Sequence, residues 1–263
     1  FDKIDLKIED LFLSKEIIYS YKNKINHDVF NSFKKTINNV KKFHEPQIPK
    51  DYELSENGVR LRSRWKALDS VGLYVPGGQT VYPSSLIMNI VPAIVAGIKR
   101  IVCVTPPSKS HNSYILGLLD ELGIEEVYQV GGAQAIGALT YGTKTIKSVN
   151  KIFGPGNTYV TSAKKQVFGK VGIDLIAGPS EIIVVANEKS NPHWVAADLM
   201  AQAEHDIKAQ SILITTSNDF ADNVLRKIKE LNQGLSKKDI IDQSLKLNGL
   251  VILVEDIFKS IEI

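Results

Sequence analysis

Residues 71–105 read VGLYVPGGQTVYPSSLIMNIVPAIVAGIKRIVCVT, and their pattern decides the fold. A short β-rich run, VGLYVP, ends in a proline–glycine turn. An apolar helical stretch follows over about 84–98, and a second β-rich run, RIVCVT, comes next. Strand, turn, helix and strand in this order form a βαβ unit with parallel strands.

The alternation continues outward. Downstream come a helical stretch over about 110–122, the run EEVYQV, a helix over about 133–141 and the run VNKIF. A second series follows the turn-rich AGPSE (177–181). It comprises EIIVVAN, a helix over about 192–206, AQSILITT, a helix over about 218–231 and LNGLVILVED. Upstream, residues 1 to about 50 read as helical: Val29, Phe33, Ile37 and Val40 form one apolar stripe, and the two prolines of HEPQIPKDY close the region. The expected class is α/β with parallel sheets, preceded by a helical arm.

Composition narrows the function. With 263 residues and 43% hydrophobic content, the chain can bury a sizeable core in one or two domains. Lys plus Arg (32) less Asp plus Glu (29) leaves +3, too small a surplus to point to nucleic acid or a membrane surface. The densest basic stretch, KNKINHDVFNSFKKTINNVKK, reads as a solvated helix face. The one cysteine, Cys103, lies within a strand pattern and is expected to be buried and inert. No apolar run of about 18 residues is present, so no membrane-spanning helix is expected. The start, FDKIDLKIED, is charged where a signal peptide is apolar, and it lacks Met. A cytoplasmic location and a processed or incomplete product are expected.

Three glycine turns each follow a β-rich run and precede a helical one: VPGGQ (75–79), VGGAQ (130–134) and FGPGN (153–157). In open α/β sheets ligands bind off the carboxyl ends of the strands, and helix-start N–H groups suit phosphate or carboxylate. Plain loop chemistry explains any single turn equally well. None is G-x-G-x-x-G: FGPGNTYV carries Tyr159 where the third glycine belongs.

The helix from about 192 has a start signal in Asn191 and Pro192. Val195, Ala196, Leu199, Met200 and Ala203 form its apolar face, with Asp198, Gln202 and His205 along one border. Spacings of four and three let these three meet one ligand. A metal site and a helix-edge hydrogen-bond cluster are both compatible with that spacing. Glu204 and Lys208 are spaced for a solvated ion pair, and His27, His44, His111 and His193 read as surface residues. Ser180 is not in a G-x-S-x-G elbow, which argues against a hydrolase nucleophile.

In order and separation, GLYVPGG, VGGAQAIGAL, KIFGPGNTYV, AGPSE and DLMAQAEHD resemble the histidinol dehydrogenase family. The resemblance implies two intertwined, incomplete Rossmann-like domains. Residues 51–72 with 180–263 would form the first and 73–179 the second, after a helical arm over 1–50. It implies NAD-dependent, zinc-assisted oxidation of L-histidinol to L-histidine through L-histidinal, the last step of histidine biosynthesis, in a homodimer. Motif by motif, Tyr74, Gln134 and Asn157 match NAD contacts and Ser180 a substrate contact. Gln202 and His205 match zinc ligands that also face the substrate. The family's acid–base A-P-E-H-L motif occurs nowhere in this chain, and its further zinc ligands are absent too. The chain alone is therefore expected to be inactive. The alternative is a catalytically dead remnant that binds nucleotide or a protein partner.

Overall fold

A computed structural model of the chain describes residues 4, 6–76, 82–108, 112–178 and 180–261. The elements in order are α1 (Lys15–Lys22), α2 (His27–His44), β1 (Tyr52–Glu56), β2 (Val59–Ser63), β3 (Ser70–Tyr74), α3 (Pro83–Val95), β4 (Arg100–Thr105), α4 (Ser113–Glu121), β5 (Glu126–Gln129) and α5 (Gly132–Tyr141). There follow β6 (Lys151–Phe153), α6 (Thr158–Val167), β7 (Gly172–Ile173), β8 (Glu181–Val185), α7 (Pro192–Ala203), β9 (Gln210–Thr215), α8 (Asn218–Asn232), α9 (Lys238–Asn248) and β10 (Leu250–Leu253). The class is α/β with parallel sheets behind an N-terminal helical segment, as the alternation predicts.

Two compact units divide the chain, Phe1–Ala177 and Gly178–Ile263. In the first, five parallel strands run in the order β5-β4-β3-β6-β7. The chain moves outward from β3 through β4 to β5, then returns to β6 on the other side of β3. Such a reversal opens a crevice at the carboxyl ends of β3 and β6, the usual ligand position in this architecture. Alternate residues of β3 serve opposite faces. Val71 and Leu73 join α3, α4 and the arm in one core, while Tyr74 joins α5 and α6 in the other.

The helical arm belongs to this unit. Phe33, Ile37 and Val40 pack against the α3–α4 core while the lysines of α2 face solvent. Lys22 bridges Asp120 and Glu121 at 2.8 and 3.1 Å, tying α1 to α4. A Cβ on Gly117 would press on the end of the Ile25 side chain and stand 3.2 Å from the Lys22 Cα, so α4 lies close against the end of α1 at this glycine.

The second unit has three parallel strands, β10-β9-β8, with α7, α8 and α9 enclosing a core of Val195, Ala196, Leu199, Leu213, Phe220 and Val224. Asn191 caps α7 by accepting from the His193 N–H at 2.9 Å, and Pro192 fills the first helical position. The helix stops at Ala203, short of the expected 206, so His205 lies in the turn beyond it.

The antiparallel hairpin β1–β2, the short β7 and α9 are not in the alternation read from the sequence. Among the described residues the hairpin pairs with itself. Strand β3 starts at Ser70, so it crosses the residue-72 boundary expected above. Among the described residues, no helix is long and apolar enough to cross a membrane.

Candidate functional site

In the first unit two of the glycine turns, those after β5 and β6, meet at one residue, Tyr74. Tyr74 ends β3 and is buried. Its hydroxyl accepts from the Gly132 N–H at 3.1 Å, reaching the turn that opens α5. Its backbone supports the turn after β6: a Cβ on Gly154 would collide with the Tyr74 carbonyl oxygen and lie 3.1 Å from the Tyr74 nitrogen. Gly154 has φ +111°, a conformation closed to other residues, so both space and dihedral demand glycine. Of VPGGQ, Gly77, Gly78 and Gln79 lie outside the described residues.

The other predicted cofactor contacts sit on these turns. Asn157 caps α6, its Oδ1 accepting from the N–H groups of Tyr159 and Val160 at 3.1 Å each. That leaves its exposed Nδ2 as a donor to a ligand. Gln134 is exposed in the first turn of α5 and folds over Gly132: a Cβ there would stand 2.8 Å from Gln134 Oε1. The α5 N-terminus has no side-chain cap, since Gly131 precedes it. Gly131 presses on the Pro106 ring, with a Cβ position 2.6 Å from Cγ. Backbone donors, an amide donor and crowded glycines suit a dinucleotide phosphate region.

Sequence reading passed over two residues here. Lys164 of α6 is the one buried charged side chain among the described residues, and it pairs with Asp174 at 2.7 Å. In KKQV it reads as a solvated lysine; no local signal marks it.

In the second unit the predicted residues gather at the amino ends of β8 and β9. Ser180 is exposed just before β8, and its carbonyl accepts from Gln210 N–H at 3.1 Å. The turn carrying His205 leads into β9, and His205 N–H donates to the Gln202 carbonyl at 3.2 Å. Asp198 and His205 are exposed. Gln202 is half-buried, and its Nε2 is buried with no hydrogen-bond partner among the described residues. A buried amide left so costs stability unless a ligand or an ordered water completes it. The two ends of an amide are assigned from their neighbours; turned over, this one presents Oε1 to a cation. The Gln202 amide and the exposed His205 ring are the two members of the expected zinc set at this helix end. Among the described residues no group of three His, Cys, Asp or Glu completes it, and a catalytic zinc usually takes three protein ligands.

Two smaller expectations are corrected. Among the described residues Glu204 and Lys208 form no ion pair: beyond the helix end the Lys208 N–H donates to Asp206 instead. His44 is half-buried rather than a surface residue, with Nδ1 3.0 Å from Gln47 Oε1 and Nε2 buried without a partner. His27 and His193 are exposed as expected, and His111 lies outside the described residues. Cys103 is fully buried, and burial pushes its thiol up to about 12.

The chain is similar to known proteins in sequence and fold. The family model for histidinol dehydrogenase matches residues 1–263. The chain is 47% identical over 266 residues to histidinol dehydrogenase of Clostridium acetobutylicum and 45% identical over 265 residues to that of Gluconobacter oxydans. Both alignments cover all of this chain, but only 61% and 62% of the relatives. A crystal structure of histidinol dehydrogenase from Elizabethkingia anophelis superposes with a TM-score of 0.91 at 37% identity, again over the whole chain and 61% of that protein. The chain thus spans about three-fifths of its relatives' length, and it belongs to the histidinol dehydrogenase family.

Proposed function

We propose that the protein carrying this chain oxidises L-histidinol to L-histidine through L-histidinal, the last step of histidine biosynthesis, as a cytoplasmic homodimer. The observation that carries the reading is the convergence of two of the glycine turns on Tyr74 at the sheet's reversal point. NAD, when bound, accepts a hydride at each of the two oxidations. Zinc, when bound, supplies a Lewis-acidic grip on the substrate's imidazole and amine.

The chain's own residues bind and orient. Gln134 and Asn157 present the dinucleotide surface, and buried Tyr74 completes it from behind by holding the turn that opens α5. Gln202 and His205 would hold zinc, and Ser180 would contact the substrate beside them. Holding the carbinol carbon in place is orientation chemistry. The proton of the alcohol also needs an acceptor, and so does the water that hydrates the aldehyde. No A-P-E-H-L motif stands in this chain to provide one. Loss of a positioned base typically costs about 10²–10⁴ in rate. Two donors also leave zinc weakly held. The chain alone is therefore inactive while retaining cofactor affinity.

The purified chain, mixed with NAD, zinc and L-histidinol, is expected to show no rise in NADH absorbance, while a separate fluorescence titration with added NADH is expected to show binding. Measurable turnover refutes the inactivity, and failure to bind NADH refutes the cofactor surface. A remnant that binds only nucleotide is the second reading, favoured by the incomplete metal set. It predicts that zinc does not raise the chain's affinity for L-histidinol.

A further inference from the structure

We propose that Lys164 and Asp174 are positioning residues for the FGPGN turn, an internal ion pair that fixes how this turn meets the dinucleotide. The inference rests on the cofactor reading above.

The ion pair grips both backbone groups of one residue. Lys164 Nζ donates to the Gly154 carbonyl at 2.6 Å and to Asp174 Oδ1 at 2.7 Å. Asp174 Oδ2 accepts from the Gly154 N–H at 2.8 Å, and Oδ1 also accepts from the Leu175 N–H at 2.8 Å. Asp174 is itself held in register, its N–H donating to the Ile152 carbonyl at 3.1 Å beside β6. Gly154 is therefore fixed from two sides: Tyr74's backbone lies against it, and the ion pair occupies its N–H and C=O.

A buried ammonium carries a desolvation cost, and apolar replacements of buried ion pairs are often neutral or stabilising. Stability alone is thus a weak reason for a lysine here. Geometry is a stronger one. With Gly154 fixed, the chain has only Pro155 and Gly156 before Asn157, whose Oδ1 is committed to capping α6. The direction in which Asn157 Nδ2 leaves the turn is set by the clasp at one end and the helix cap at the other. A preorganised donor spares a ligand the cost of ordering it.

The test is NADH fluorescence titration of the 263-residue chain, unmodified and as Lys164→Met and Asp174→Asn, with amide hydrogen exchange on the same samples. Lys164→Met is expected to weaken NADH binding by about tenfold or more, the scale of lost preorganisation. Exchange over residues 153–157 should accelerate while β5 stays protected. Asp174→Asn keeps an acceptor for the Gly154 N–H and should have a smaller effect in the same direction. It also serves as the readout if Lys164→Met does not fold. A general loss of packing would instead raise exchange in β5 as well, and that result overturns the assignment. So does NADH affinity within about twofold of the unmodified chain in both variants. Absence of binding by the unmodified chain overturns the cofactor reading and this inference together, a result distinct from unchanged affinity.

Discussion

Replacing Gly154 with alanine tests whether the turn after β6 is seated against Tyr74 as described. Its φ of +111° is closed to alanine, which on the scale of left-handed strain costs about 1–2 kcal/mol. The added Cβ also meets the Tyr74 carbonyl, and displacing packed backbone adds about 1–3 kcal/mol. Gly123 provides the control. Its φ is +68°, with nothing within 4 Å of a Cβ, so Gly123→Ala carries the dihedral term alone. The reporter is built in: Cys103 is the single cysteine, fully buried in β4 of the same unit, and its thiol is pushed up to about 12. It reacts with a thiol reagent only when the unit opens, so the labelling rate tracks the opening equilibrium. At about 1.4 kcal/mol per decade, Gly123→Ala should speed labelling about 5- to 30-fold and Gly154→Ala about 5- to 100-fold beyond that. Equal labelling of the two variants would show that Tyr74 and Gly154 are not in the contact described.

Three further outcomes follow from other contacts. Gly117→Ala should push α1 from α4 at a cost of about 1–3 kcal/mol and expose the arm's lysines to trypsin in limited proteolysis. Since Cys103's folded value lies near 12 against an ordinary 9.0, its contribution to stability is intact below pH 9 and is lost as pH rises toward 12. Urea unfolding should therefore show the unmodified chain losing up to about 1.4 kcal/mol per pH unit more than Cys103→Ala across that window. Gln202→Met should leave the second unit as stable or stabilise it by about 1 kcal/mol, because an orphaned buried amide disappears; a cobalt titration should lose whatever metal binding the chain has.

What the sequence discloses is what is local in it. The strand–helix alternation is written in apolar periodicity, and the helix starts at Asn157 and Asn191 are written in their caps. The hairpin had a local signal that went unread. Asn57 and Gly58, both at positive φ, form the turn between the alternating runs YELSE and VRLRS. It escapes a search for buried strands because Tyr52, Leu54, Val59 and Leu61 all remain exposed. Helix α9 is short and lies between α8 and β10; its core contacts are Ile241 and Leu245, one turn apart.

The site residues divide along the same line. Tyr74, Gln134 and Asn157 lie in turns whose glycines announce them. Lys164 and Asp174 meet only because β6 and β7 lie side by side, and ten residues of separation across a helix leave no periodic trace. Gln202 is a third kind. Its spacing to His205 is visible in the sequence but fits an ordinary helix border equally well, and only tertiary burial shows that its amide lacks a partner. The position also runs against the general rule for open sheets. The turns around Tyr74 occupy the carboxyl ends of their strands, whereas Ser180, Gln202 and His205 gather at the amino ends of β8 and β9. A search guided by fold alone would find the first group and pass over the second. What sets the amino-end group apart from a plain helix border is a buried amide nitrogen that lacks a partner among the described residues, a cost that a ligand, an ordered water or a different amide orientation removes.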